Sequence, residues 1–286
     1  MRSVRRIGLI AAFALCAACP PKTKKTVENP PPPPPPPAPK GDLLRLKDAP
    51  GDTPKGKVKL VVEQESVGKK GKPMQNGFTF DFTDEQKIDA AADAVAIQSR
   101  FVDAIGKLTV GNAKQDLIDM FAAVLCELKI SFKRTPRGEI QALTVTGARD
   151  PLPEPTARAI VGTIHGVQRG AFLPEGHVEQ GATWKVEAPL PGNFSGSVTF
   201  TYTYAKKEGT VATISGDGVV DGKAGTGPTA QKMTGHDTTE VKIDLATGKI
   251  VSQSFDSDVK IDKAATGELV IKQRVRSEWT ADGSVK

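Results

Sequence analysis

Few residues in this chain have the types and spacing that chemistry needs. His236 follows Gly235 and is followed by Asp237 and then Glu240. An imidazole beside two carboxylates is the material of acid–base catalysis or of a metal site. The only other histidines are His165 and His177, and none stands at metal-ligand spacing from another. No metal is therefore expected, and His236 reads as a surface histidine near a strand start. Asp256, Asp258 and Asp262 lie at even spacing in SFDSDVKID, which puts three carboxylates on one strand face where oxygen ligands would suit calcium. The turn glycine and closing glutamate of a calcium loop are missing, so the expected role is a solvated strand face. Gly216, Asp217, Gly218, Asp221 and Gly222 form a glycine-rich stretch, but it precedes no helix able to hold a phosphate and reads as turn chemistry. GxSxG, HExxH, CxxC, a P-loop and a helix-opening GxGxxG are all absent. The chain is not expected to be an enzyme, and no cofactor is implied.

The cysteines carry a clearer message. Arg2, Arg5 and Arg6 precede an apolar run from Ile7 to Leu15, followed by Cys16, Ala17, Ala18 and Cys19. That is the order of a secretory signal. The run is about half of the roughly 20 residues that span a bilayer as a helix, and Pro20 obstructs its continuation. Leu15 to Cys19 resembles the lipobox of bacterial lipoproteins, with Cys16 standing where an aliphatic residue is commoner. The resemblance implies cleavage after residue 18 and lipid attachment at Cys19. The expected location is the cell membrane or outer membrane, anchored through Cys19, with the domain facing the periplasm or exterior. Cys126 is then the one remaining thiol, without a disulfide partner, and its setting after Ala122, Ala123, Val124 and Leu125 predicts a buried, inert side chain.

The formal charge of +6 suggests nucleic acid until its distribution along the chain is taken into account. Residues 1–18 hold three arginines, and residues 19–40 hold Lys22, Lys24, Lys25 and Lys40 against Glu28. Removing both segments leaves residues 41–286 with no net charge, so a nucleic-acid partner is excluded on electrostatic grounds. The lysines of residues 19–40 belong to a solvated, disordered tether. Pro30 to Pro37 are consecutive and predict a polyproline II spacer about 25 Å long at 3.1 Å per residue.

Residues 41–286 show no second linker and read as one domain. Val58, Leu60 and Val62 alternate within Lys57 to Val67, as do Phe78, Phe80 and Phe82. Residues 84–107 fit either helix, through Ile88, Ala91, Ala92 and Val95, or strand; strand from about 93 to 107 is favoured. Asn112 with Gln115 resembles a capping box ahead of Leu117, Ile118, Phe121 and Leu125 at helical spacing. A hairpin turned at Pro136 to Gly138 comes next, then a second helix from near Pro153. After Gly181 the chain reads as a long meander, with Gly209, Gly218, Gly248, Gly267 and Gly283 at its turns. The expected architecture is α+β: a large curved antiparallel sheet of about 9–11 strands whose apolar face is covered by two helices.

Gly181 and Trp184 open one strand, and Asp244, Thr247 and Gly248 form a later turn. Together they resemble exported bacterial proteins of a family described only as a domain of unknown function, which pairs these two motifs. That resemblance implies a β-rich envelope domain and supplies no catalytic residues. Two functions stand side by side. One is a non-catalytic binding or envelope-maintenance module with an envelope protein partner. The other is a carrier of a lipid or other apolar ligand in a groove between sheet and helices, favoured by a faint similarity in element order to lipoprotein carriers with a half-barrel sheet. For the carrier, Phe200, Tyr202, Tyr204 and Trp279 are the candidate groove residues.

Overall fold

A computed structural model describes residues 40–67, 73–111, 114–191, 194–225, 227–263 and 267–280. Cys19, the polyproline run, Asn112 and Gly283 lie outside the described residues. Alternation of apolar and polar side chains dictates most of the architecture. Val58, Leu60 and Val62 are buried and Lys57 and Lys59 exposed along β2 (Lys55–Val67), because strand side chains point alternately to opposite faces. The same period runs through β3 (Pro73–Ala90) and β4 (Val95–Val110). The helical spacing of Ile88, Ala91, Ala92 and Val95 forms no helix: the strand reading holds, with a short turn at residues 91–94.

Helix α1 (Gln115–Glu127) comes after β4. The Gln115 amide ties the helix start back to the strand it has left, accepting from the Leu108 N–H at 3.2 Å and donating to the Gly106 carbonyl at 2.9 Å. Ile118, Ala122, Val124 and Leu125 are buried, whereas Cys126 is exposed. The expectation of a buried thiol is thus corrected. At 3.6 residues per turn the position after Leu125 rotates off the buried stripe. The predicted hairpin is β5 (Lys129–Arg134) and β6 (Ile140–Thr146), turned with Gly138 at φ 85°. Helix α2 (Glu154–His165) begins after Pro153 and ends on Gly166 in the left-handed conformation.

The remaining strands are β7 (His177–Val178), which pairs with β1 (Asp42–Leu43), then β8 (Thr183–Pro189), β9 (Phe194–Glu208), β10 (Val211–Ala224), β11 (Gln231–Asp244), β12 (Lys249–Lys263) and β13 (Gly267–Thr280). The main sheet has 11 strands in the order β6-β5-β4-β3-β2-β13-β12-β11-β10-β9-β8, every pair antiparallel. Two meanders therefore meet at the β2–β13 seam, and the sheet's edges are β6 and β8.

The connection between those edges explains the curvature. Laid flat, the strands would spread over about 48 Å at roughly 4.8 Å per spacing. Helix α2 packs on β6, yet the short 3₁₀ turn Val167–Arg169 directly after it packs on β8 and β9. A 12-residue helix is about 18 Å long, so the sheet must curl until its edges nearly share one cover. Bulges assist. Asp103 at φ 55° shifts the β3–β4 register, so Ile97, Ser99 and Phe101 face inward before it while Gly106 does so after it.

The inner face does not rest on two helices alone. α1 packs chiefly on β4, and α2 is joined by Phe172 and Leu173 and by Leu44 and Leu46, all at most 5 % exposed. No helix among the described residues is long and apolar enough to cross a membrane.

Candidate functional site

Strand alternation separates the residues that sequence had grouped. His236 and Glu240 lie on the outer face of β11, while Asp237 points inward and is 2 % exposed. His236 Nε2 sits 3.0 Å from Asp217 Oδ1 in solvent. Asp256 and Asp258 pair with Arg276 and Lys272 of β13 at 2.8 and 3.4 Å, which leaves them neutralised by neighbours. Among the described residues no group of three or more His, Cys, Asp or Glu is arranged to hold a metal.

The glycine-rich stretch is a second correction. Gly216, Gly218 and Gly222 lie inside β10 rather than at a turn. A Cβ on Gly216 would come within 2.5 Å of the Tyr202 ring, and one on Gly218 within 2.7 Å of the Phe200 ring. Both aromatic rings on β9 thus lie down across β10, stacked on each other with centroids 5.2 Å apart. The missing Cβ atoms make the room. Phe200, Tyr202 and Tyr204 are all fully buried. The Tyr202 hydroxyl donates to the Arg169 carbonyl at 2.9 Å and that of Tyr204 to Asp42 Oδ2 at 2.8 Å. Trp279 lies on β13, four strand positions from β9, with its ring over Gly56.

Beside the C-terminal end of α2 lies a buried polar centre. Asp84 accepts from the Ser99 hydroxyl at 2.6 Å and from the Gln86 amide at 2.8 Å. Burial still pushes its carboxyl up to about 6. His165 Nδ1 is 3.8 Å from Asp84 Oδ2, and its Nε2 is 3.4 Å from Ser99 Oγ. Burial, with Arg134 and Arg169 nearby, lowers the imidazole to about 3, so it stays neutral. Ser, His and Asp are the types of a hydrolytic triad, but the roles do not match. The serine donates to the carboxylate rather than to the imidazole, and Phe101 and Phe132 pack against the His165 ring with centroids at 6.0 and 4.6 Å. The centre is a packed polar core around a void of only about 10 Å³.

On the other side of α2 the packing stays open. A crevice of about 70 Å³ runs between Ala159 and Thr163 of α2, Gln168 beyond it, and strands β10 to β13. Strand register gives it an order. One row across the sheet is Asp237, Ser257 and Gln273; the next is Val220, Val259 and Ile271; the third contains Met233 and Ile261. The first row is polar and the other two are apolar, with Leu190, Pro191 and Phe194 also lining the crevice. Asp237 takes a bond from the Ser257 hydroxyl, and burial raises its carboxyl to about 6. Asp237 Oδ1 and Gln168 Oε1 are buried without any partner. A larger trough of about 770 Å³ lies over β2 to β6, where Lys55 and Arg100 both hold Glu85.

None of the crevice residues was a sequence candidate for a groove. The signal was nevertheless present: Met233, Gly235, Asp237, Thr239, Val241 and Ile243 share one parity, which places an aspartate in an inward position. Asp84 stands in the same way among Phe80, Phe82 and Ile88.

Comparison with known proteins adds two findings. A family of unknown function (DUF6263) matches residues 168–250. That span contains both sequence motifs: Trp184 donates to the Phe172 carbonyl at 3.1 Å, and Asp244 accepts from Thr247 Oγ1 at 3.0 Å in a turn completed by Gly248 at φ 69°. No curated protein matches the chain. Among solved structures, one titled "Lipid-protein interactions in lipovitellin" superposes with a TM-score of 0.52 at 14 % identity, over 83 % of this chain and 26 % of that one. The likeness is one of fold, and this chain corresponds to about a quarter of that structure's length.

Proposed function

We propose that the chain is a lipid-anchored bacterial envelope protein whose domain binds, without catalysis, an apolar ligand in the crevice between α2 and β10–β13. One observation carries the reading: apolar side chains from the sheet and from the segment before β9 converge on a space that the protein leaves unfilled while burying two unpartnered oxygens of residues that line it. Interiors elsewhere close to the density of organic crystals. At about 70 Å³ the crevice is smaller than the roughly 150 Å³ cavity that takes benzene, so it holds only one end of a chain. The lipovitellin structure, whose title concerns lipid–protein interactions, shares the curved-sheet fold and supports this reading.

Native mass spectrometry of the full chain after gentle extraction tests the ligand: the expected result is a mass above polypeptide plus the Cys19 lipids, lost in Ala159→Met, which fills the crevice. A bare mass in the wild type rejects it. The anchor is tested separately. Globomycin treatment is expected to leave a larger precursor, and Cys19→Ala to release the protein from membranes; a Cys19→Ala chain that matures and stays with the membrane pellet rejects the anchor.

A further inference from the structure

The polar end of the crevice is one-sided. Asp237 and Gln168 are each 2 % exposed, and their unpartnered atoms, Asp237 Oδ1 and Gln168 Oε1, are both acceptors. The unmet need is therefore for donors. Register places Asp237 in the polar row and Val259 and Ile261 in the two successive apolar rows beside it, and Gln168 lines the same crevice. We propose that the crevice selects a single-chain amphiphile with an amine or hydroxyl head, which donates to Asp237 Oδ1 and Gln168 Oε1 while its alkyl tail lies along Val259 and Ile261. This rests on the crevice being the ligand site.

The chemistry of the head decides affinity more than its size. A carboxylate brings only acceptors and a second negative charge to a pair that already lacks donors. An ammonium supplies three donors and a charge opposite to that of Asp237, whose carboxyl at about 6 is ionised at neutral pH. A hydroxyl supplies one donor and no charge. The expected order is amine, then alcohol, then carboxylate.

Octylamine, octanol and octanoate, each titrated into the full chain in a non-ionic detergent and read by native mass spectrometry, test this. Octylamine is expected to bind at least about tenfold tighter than octanoate, and Asp237→Asn to shrink that ratio to within about twofold with octanol nearly unchanged. Gln168→Glu, which keeps the shape and adds charge, is expected to widen the ratio and serves if Asp237→Asn fails to fold. Octanoate binding as tightly as octylamine, or a preference that survives Asp237→Asn, overturns the head assignment. If all three bind alike and Ala159→Met abolishes all three, the crevice remains the ligand site and only the head assignment falls. If none of the three binds, both fall.

Discussion

The two sides of α2 bury the same kind of group under different terms. On the side of β3 and β4, Asp84 is held by Ser99 and Gln86, and the neighbouring His165 lies against Phe101 and Phe132. On the side of β10 to β13, Asp237 has Ser257 but keeps one oxygen unpartnered, beside open apolar space. Both carboxyls are raised to about 6, with burial the largest cause in each. The difference lies in the carboxylates and in the space beside them. Both oxygens of Asp84 are bonded beside a void of only about 10 Å³, although Gln86 Oε1, Arg169 Nε and Gln253 Oε1 are buried there without partners. Asp237 leaves one oxygen open beside a crevice of about 70 Å³, which suits it to binding.

The largest effect is expected on the filled side. Phe101 is fully buried and contacts both Phe82 and His165, so Phe101→Ala should cost about 3–5 kcal/mol in urea unfolding. A loss under 1 kcal/mol would mean that this side is no better packed than the crevice.

Next comes the pH dependence. An aspartate raised to about 6 from 3.8 holds its proton in the native state while the unfolded chain has lost it, so its contribution to stability falls as pH rises from about 4 to about 6. Asp84→Asn should remove that fall, gaining on the wild type across this window by on the order of 2–3 kcal/mol at 1.36 kcal/mol per unit. His165, lowered to about 3 from 6.5, works in reverse: the unfolded chain binds the proton first, so stability is lost as pH falls from about 6.5 toward 3. His165→Asn should make the same window less acid-sensitive. Chemical denaturation of each variant at pH 4.5 and pH 7 reads both, and parallel pH profiles for variants and wild type would contradict the burial of these groups.

Enlarging a side chain compares the two regions directly. Gly216→Val drives atoms into the Tyr202 ring and is expected to cost about 1–3 kcal/mol. Ala159→Met enters existing space and should change stability by under about 1 kcal/mol. Equal costs for the two would show that the crevice is not open. The smallest effect is reserved for Cys126, exposed on α1. Cys126→Ser should stay within about 0.5 kcal/mol, and the native thiol should react with a maleimide at the rate of an accessible cysteine.

What the sequence determined by itself was local. The period-2 runs of β2, β3 and β9, the hairpin at Gly138, the proline start of α2 and the Asp244–Gly248 turn all express preferences acting over a few residues. The neutrality of residues 41–286 was equally legible, since charge needs no fold to be summed. Where a local signal misled, a longer-range contact had overruled it. Gly216 and Gly218 suggested a turn because glycine favours turns, yet here they admit rings from the adjacent strand. That Phe200, Tyr202 and Tyr204 are fully buried, and that β10, β11 and β12 stand between β9 and β13, is visible only in the fold. The β2–β13 seam, the curl that lets one connection serve both sheet edges, the fully bonded Asp84 and the half-bonded Asp237 all depend on residues far apart in the chain. No periodicity encodes those pairings; they exist once the sheet has curled and α2 has settled, tightly on one side and loosely on the other.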